Sequence, residues 1–390
     1  MKHQIKHFYY DASQAQSQAV SQFKSQTAKT HIVSSVPKIT HYREGKSALY
    51  LTQKQGAAFK PCASLNPEYV CCNVQVLDAV SNCPYDCSYC FLQNYLNNGT
   101  LQVTADVDAM IEEVRTKTAL QPWRFFRIGT WELGDSLALE ALTGTSAQLI
   151  KAFAGMKNAL LELRTKSDYV EKLLDIDHQQ RTVVSWTVNP QTIIKREEFR
   201  TASMAARLSA MQQIEKAGYL LALHFDPMLL FDGWAADYDA LVKEIFSRIS
   251  SQSVVWISIG SLRFNPEMKR TIEQNFPGSR ITTPEMVAGP DGKMRYVKPK
   301  RVEMYQHLYQ TIQACMPSND KPFVYLCMER WDMWDKVLGY HPHSIGHLDY
   351  LMVHSLTQRF PGLVHQNPDL ALYDNGDEKE TNKSKNVIER

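Results

Sequence analysis

Between residues 73 and 345 the chain alternates short β-branched runs with longer stretches whose apolar positions recur at helical spacing. Seven runs read as strands: 73–79, 125–129, 159–164, 182–188, 220–225, 254–260 and 323–328. Between them, Val107, Met110, Ile111 and Val114 share one helical face. Met204, Leu208, Met211 and Ile214 share another, opened by Thr201 or Ser203 as a cap and closed by Gly218. Strands in alternation with helices predict an α/β fold with a parallel sheet, closed or nearly closed into a barrel. In such barrels the chemistry sits on loops after the C-terminal strand ends.

The flanks lack this regularity. Residues 1 to 30 are rich in Gln and Ser and read as a loosely ordered leader. With the scattered Pro, Gly and Lys that follow, residues 1–72 are expected to form an irregular N-terminal subdomain. Residues 73–345 form the barrel core, and 346–390 a C-terminal extension whose last part, from Asn375, is a polar, solvated tail.

Composition narrows the class. The 390 residues are 44% hydrophobic and 22% charged, which excludes a chain disordered throughout, a collagen-like repeat and a coiled coil. No apolar run reaches the roughly 18 residues of a membrane span. The most apolar stretch, 218–230, is broken by His224 and Asp226. The basic residues near Met1 have no apolar run behind them, so no signal peptide is read and a cytoplasmic location is expected. Forty-three basic against 41 acidic side chains argue against wholesale polyanion binding, though not against a local basic patch.

Cysteine placement gives the sharpest signal. Five of the eight cysteines (71, 72, 83, 87, 90) fall within 20 residues, which in a reducing compartment points to metal ligation or redox chemistry. Directly after the first strand, Cys83, Cys87 and Cys90 stand as CxxxCxxC with no fourth cysteine nearby. Three thiolates on one loop suit a 4Fe–4S cluster with one iron left open, as a reactive cluster needs. A zinc site is the competing reading; it must borrow Cys71, Cys72 or a histidine. Inert packing is the third.

CxxxCxxC with an aromatic before its last cysteine, at the end of strand one of a βα series, resembles the radical S-adenosylmethionine superfamily. Cys87-Ser88-Tyr89-Cys90-Phe91-Leu92-Gln93 resembles the cluster loop of the spore photoproduct lyase family. The stretches 161–166, Val188-Asn189, 193–195, Gly218-Tyr219, Pro227 and Gly233-Trp234 follow in the same order, over roughly residues 60–345. The resemblance implies a partial (βα)6-type barrel, a 4Fe–4S cluster on Cys83, Cys87 and Cys90, and S-adenosylmethionine on the open iron. It implies a 5′-deoxyadenosyl radical and lyase-type repair of pyrimidine photolesions in DNA. Flavodoxin or ferredoxin is the implied electron donor.

It also implies cofactor contacts, each with a bland alternative. Glu132, at the Gly-Gly-Glu-like motif after strand two, suits the methionine ammonium, or is a solvated loop acid. Asp135 lies beside the cofactor, or caps a helix starting near Ser136. Lys166 suits the carboxylate, or is a surface lysine at a strand end. Thr187 and Asn189 face one side of strand four, where Thr is otherwise common for packing. Tyr89 matches an aromatic beside the cluster. The alignment puts Glu132 where the family keeps a hydrogen-donating cysteine, Phe91 where it keeps a tyrosine, and Asp226 where it keeps a small residue. Cys327, at the end of the last strand, is the candidate catalytic hydrogen donor, or a buried small hydrophobe. Cys62, Cys71 and Cys72 are structural or hold a second metal.

Residues 287–301 read as a hairpin turning at Asp291-Gly292, with five basic side chains and one aromatic for nucleic acid, or an ordinary charged hairpin. His341, His343 and His347 read as surface histidines. Two other functions stay open: a radical enzyme acting on another nucleotide or RNA, and a metal-stabilised nucleic-acid-binding protein without catalysis.

Overall fold

The computed structural model describes residues 5–27, 29–39, 41–53, 56–62, 68–317 and 321–374. Seven parallel strands lie side by side in chain order: Gln75–Leu77, Phe126–Gly129, Ala159–Thr165, Thr182–Thr187, Leu220–Met228, Val254–Ser261 and Phe323–Leu326. They curl into a half-barrel, one strand beyond a six-fold count. An antiparallel edge strand, Phe59–Pro61, pairs with the first. A single bridge from the Val70 N–H to the Glu329 carbonyl (3.0 Å) reaches across the open side. The strands are apolar almost throughout because helices cover one face and the barrel interior the other. Every residue of Thr182–Thr187 and Val254–Ser261 is buried.

The helices follow the sequence pattern. Val107, Met110, Ile111 and Val114 are buried on Val107–Ala119. Met204–Lys216 buries Met204, Leu208, Met211 and Ile214. Ser203 caps it, its Oγ accepting from the Ala206 N–H (3.2 Å). Gly218, at φ +86°, takes the left-handed turn into the fifth strand.

The N-terminal region is more regular than its sequence pattern suggests. Strands Lys29–Ile32, His7–Tyr10, Ala48–Thr52 and Leu101–Thr104 form a parallel sheet, with Val80–Ser81 antiparallel at its edge. Phe8, Tyr10, Phe23, Leu49, Leu51 and Val103 give it a core of its own. These strands are four or five residues long and pair without hairpins, so no local signal marks them. The expected tail from Asn375 lies outside the described residues.

The basic hairpin is present but shorter. Met286–Ala288 and Met294–Tyr296 pair around Gly292 (φ +75°), and Arg263–Phe264 adds a third strand. Lys298, Lys300 and Arg301 belong instead to the helix Lys298–Ala314, whose start Pro299 favours. Arg295 is buried against Asp291 (2.6 Å) and Arg301 pairs with Glu329 (3.1 Å). Of the five basic residues, Lys293 alone is both on the hairpin and lining the central cavity.

Candidate active site

The chain leaves the first barrel strand, joins the N-terminal sheet at Val80–Ser81, and enters the cysteine loop through Asn82. Asn82 takes the left-handed conformation (φ +69°), which its short polar side chain tolerates. Its amide donates to the Gly99 carbonyl (2.7 Å) and accepts from the Cys83 N–H (2.7 Å). Asp86–Cys87 then pairs antiparallel with Glu198–Phe199, setting Glu198 opposite Cys87. The Ser88 hydroxyl donates to Glu197 (2.5 Å) and the Tyr89 hydroxyl to Glu198. Glu198 is fully buried and also takes Arg207 (2.5 Å) and the Asn189 amide (2.9 Å). The Gln93 amide ties the Ser88 and Cys90 carbonyls together (2.9 and 3.2 Å).

Cys83, Cys87 and Cys90 all line one cavity of about 550 Å³ at the C-terminal ends of the barrel strands. Burial pushes the Cys83 thiol well up and Cys87 up to about 12, with Lys166 and Lys46 only partly offsetting this at Cys87. Thiolates there need a strong positive partner, which iron supplies. Among the described residues no three His, Cys, Asp or Glu side chains converge on a point as ligands of a single ion. Cys83, Cys87 and Cys90 are three thiols on one loop, all facing the cavity. The donor set fits a 4Fe–4S cluster.

The other expected residues divide. Glu132 lines the cavity and accepts from the Cys62 thiol (3.4 Å). Lys166 lines it too, its Nζ 5.6 Å from the Tyr89 ring centre. Thr187 lines it and accepts from Arg164 Nε (3.1 Å). Asp135 reaches the cavity wall, but its carboxylate accepts from the Leu137 and Ala138 N–H groups, the Thr165 hydroxyl and the Lys166 N–H (2.6–3.0 Å). It caps the turn and fixes the backbone of Lys166. Asn189 does not face the cavity. Strand pairing ends at Thr187, so alternation stops, and the Asn189 amide is held between Glu198 and the Tyr238 hydroxyl (2.8 Å).

Cys327 lines the cavity beyond the seventh strand. Arg263 donates to its sulfur (3.2 Å) and to Asp226 (3.0 Å). Burial pushes the Cys327 thiol up, so it keeps its proton at neutral pH. Against burial, Arg263 and Arg164 hold Asp226 down to about 2.

Arg127, Arg164, His224 and Arg263 line the cavity, and the sequence reading gave none of them a role. Cys62, Cys71 and Cys72 line it, so seven of the eight cysteines do. The shared hydrogen bond of Cys71 and Cys72 pushes Cys71 up and brings Cys72 down to about 6, with Arg127 helping at Cys72. Arg127 and His224 both meet the buried Glu162 (2.6 and 2.7 Å). The usable signal was charge inside apolar strands: Glu162, Arg164 and Lys166 recur at period 2, and His224 and Asp226 interrupt the fifth.

Burial, with Arg164 nearby, brings His224 down to about 4, so the neutral imidazole donates to Glu162. The unfolded chain binds a proton at His224 between pH ~6.5 and ~4 that the folded chain does not. The His224 contribution to stability therefore falls as pH drops through that window and is flat above it. Denaturation series should show this slope, and His224→Gln should flatten it by up to about 3 kcal/mol. An unchanged slope contradicts the assignment.

A family model for spore photoproduct lyase matches residues 8–324. The chain belongs to the spore photoproduct lyase family. Among curated members, the spore photoproduct lyase of Geobacillus sp. (strain Y412MC61) is 25% identical over 253 residues, covering 63% of this chain and 71% of that one. The Bacillus subtilis (strain 168) spore photoproduct lyase is 24% identical over 269 residues, covering 67% and 76%. A solved spore photoproduct lyase variant with bound AdoMet and dinucleoside spore photoproduct shares the fold, with TM-score 0.71 and 21% identity over 82% of this chain and 97% of that one. The spore photoproduct lyase match takes in the cysteine loop and stops three residues before Cys327.

Proposed function

We propose that this protein is a radical S-adenosylmethionine lyase that reverses a pyrimidine photolesion in DNA. One observation carries the reading: in a member of this family, the three loop cysteines share a single cavity with the Cys327 thiol just beyond the seventh strand. Cys83, Cys87 and Cys90 hold the 4Fe–4S cluster. Bound there, the cluster and S-adenosylmethionine would supply hydrogen-abstracting radical chemistry.

The protein's own groups bind and orient. Glu132 receives the ammonium and Lys166 the carboxylate of S-adenosylmethionine, with Thr187 and Tyr89 along the same wall. Asp135 holds Lys166 in place through the backbone. Arg127, Arg164, Lys166, Arg263 and Lys293 face the cavity against Glu132, Asp135 and Asp226, an excess of positive charge that suits an anionic nucleotide substrate. The bound dinucleoside spore photoproduct in the solved relative supports the lesion class. An external carrier such as flavodoxin or ferredoxin delivers the electron. Among the described residues no helix is long and apolar enough to cross a membrane, and action in the cytoplasm is part of this reading.

Cys327 is the hydrogen donor: its S–H gives a hydrogen atom to the substrate carbon radical and leaves a sulfur radical. Cys327→Ala should abolish hydrogen transfer into product while 5′-deoxyadenosine still forms; unchanged product labelling contradicts the role. The reading as a whole is tested by anaerobic reconstitution with dithionite, S-adenosylmethionine and UV-irradiated DNA, followed by lesion analysis. Loss of a thymine-type photolesion is expected. Formation of 5′-deoxyadenosine with every photolesion intact would move the substrate to another nucleotide or RNA. A colourless zinc protein would make it a binding module.

A further inference from the structure

The cluster must be charged with electrons from outside, and the cysteine loop has a second surface away from the cavity. Opposite Asp86 on the short antiparallel pair stands Phe199, a large aromatic that is 40% exposed. Its ring stacks on Phe276, centroids 5.7 Å apart and nearly parallel. The Arg43 guanidinium lies over the same Phe276 ring at 5.0 Å. Arg43 and Arg200, each 48% exposed, flank the buried Asp86 carboxylate at 4.0 and 3.5 Å. Lys195 and Arg196, both exposed, end the helix that runs into this strand. Glu44 is the exposed acid beside Arg43. None of these residues lines the cavity.

We infer that this face is the docking site of an acidic, low-potential one-electron carrier protein. The inference rests on the enzyme reading above and adds the place of electron entry. Asp86 pairs directly with Phe199 and is bonded to the ligand Cys87, so a partner seated on Phe199 lies one residue from the cluster's own sulfur. The balance of exposed charge is basic, which steers an acidic partner and suppresses a basic one. A single exposed aromatic with a charged rim also matches the small area of transient electron-transfer encounters. In the step itself the reduced carrier loses one electron and the cluster gains one, with no bond made or broken. Nucleic acid is the competing occupant of a basic face, but the substrate has its own basic cavity, which none of these residues lines.

The test uses reconstituted holoenzyme and photoreduced flavodoxin, following cluster bleaching under anaerobic conditions. Wild type should be reduced at a rate that falls steeply with salt. Lys195→Glu/Arg196→Glu/Arg200→Glu should be reduced at least about tenfold more slowly at low salt. Phe199→Ser should slow reduction with little change in salt dependence. Dithionite should reduce the cluster of all three proteins to the same extent, which certifies the fold. Equal flavodoxin rates in wild type and the charge-reversed protein overturn the inference, as does a loss of DNA binding with carrier reduction intact. A wild type that assembles no cluster overturns the enzyme reading and this inference with it.

Discussion

A protein with Cys83, Cys87 and Cys90 all replaced by Ala is expected to fold, to bind no iron, and to release no 5′-deoxyadenosine above the protein-free control. Each thiol lines the cavity, and the loop is held by bonds that do not involve sulfur: the Asp86–Cys87 pairing with Glu198–Phe199, the Ser88 and Tyr89 hydroxyls and the Gln93 amide. Replacing three small side chains therefore removes the ligands and keeps the scaffold. Iron content, visible absorption and the paramagnetic signal of the reduced protein read the first half of the result. Circular dichroism and the denaturation midpoint read the second. Retained iron with retained product release would show that other groups hold the cluster.

Glu198→Ala should be among the most damaging single changes in the chain. Its carboxylate accepts from Arg207, Tyr89 and Asn189, and all four residues are buried. Despite burial, Arg207 and Lys166 keep Glu198 below the ordinary carboxylate range. Truncation leaves the Arg207 charge buried without its partner, a loss of about 3–5 kcal/mol. The same change frees Tyr89, which lies between Cys87 and Cys90, so iron occupancy should fall along with stability. Glu198→Gln keeps one acceptor and should sit between. Denaturant titration and iron analysis on the two variants decide it; a midpoint within error of wild type would mean that Arg207 finds another partner.

All seven barrel strands were legible because a parallel sheet buried on both faces writes itself as apolar runs of bounded length. Helix Met204–Lys216 was legible down to its cap, since Ser203 and Gly218 mark its ends chemically. The cysteine loop was legible from spacing alone. What escaped depends on contacts between residues far apart in the chain. His7–Tyr10 pairs with Lys29–Ile32 and Ala48–Thr52 through crossovers that leave no turn signature. Asn189 reads as a cavity residue by strand alternation, but the strand stops two residues earlier and Glu198 claims its amide. The basic run after Gly292 reads as one hairpin, but Pro299 starts a helix within it. Cys62 and Cys72 carry no motif, and only the closing of the sheet brings them to Glu132 and Arg127.

The pairing of Cys87 with Glu198 also sets a clock. The partner strand lies more than a hundred residues further along the chain, which at ribosomal rates of about 5–20 residues per second is a delay of roughly five to twenty seconds. For that interval the newborn thiols stand unbraced, open to oxidants and to iron donors alike.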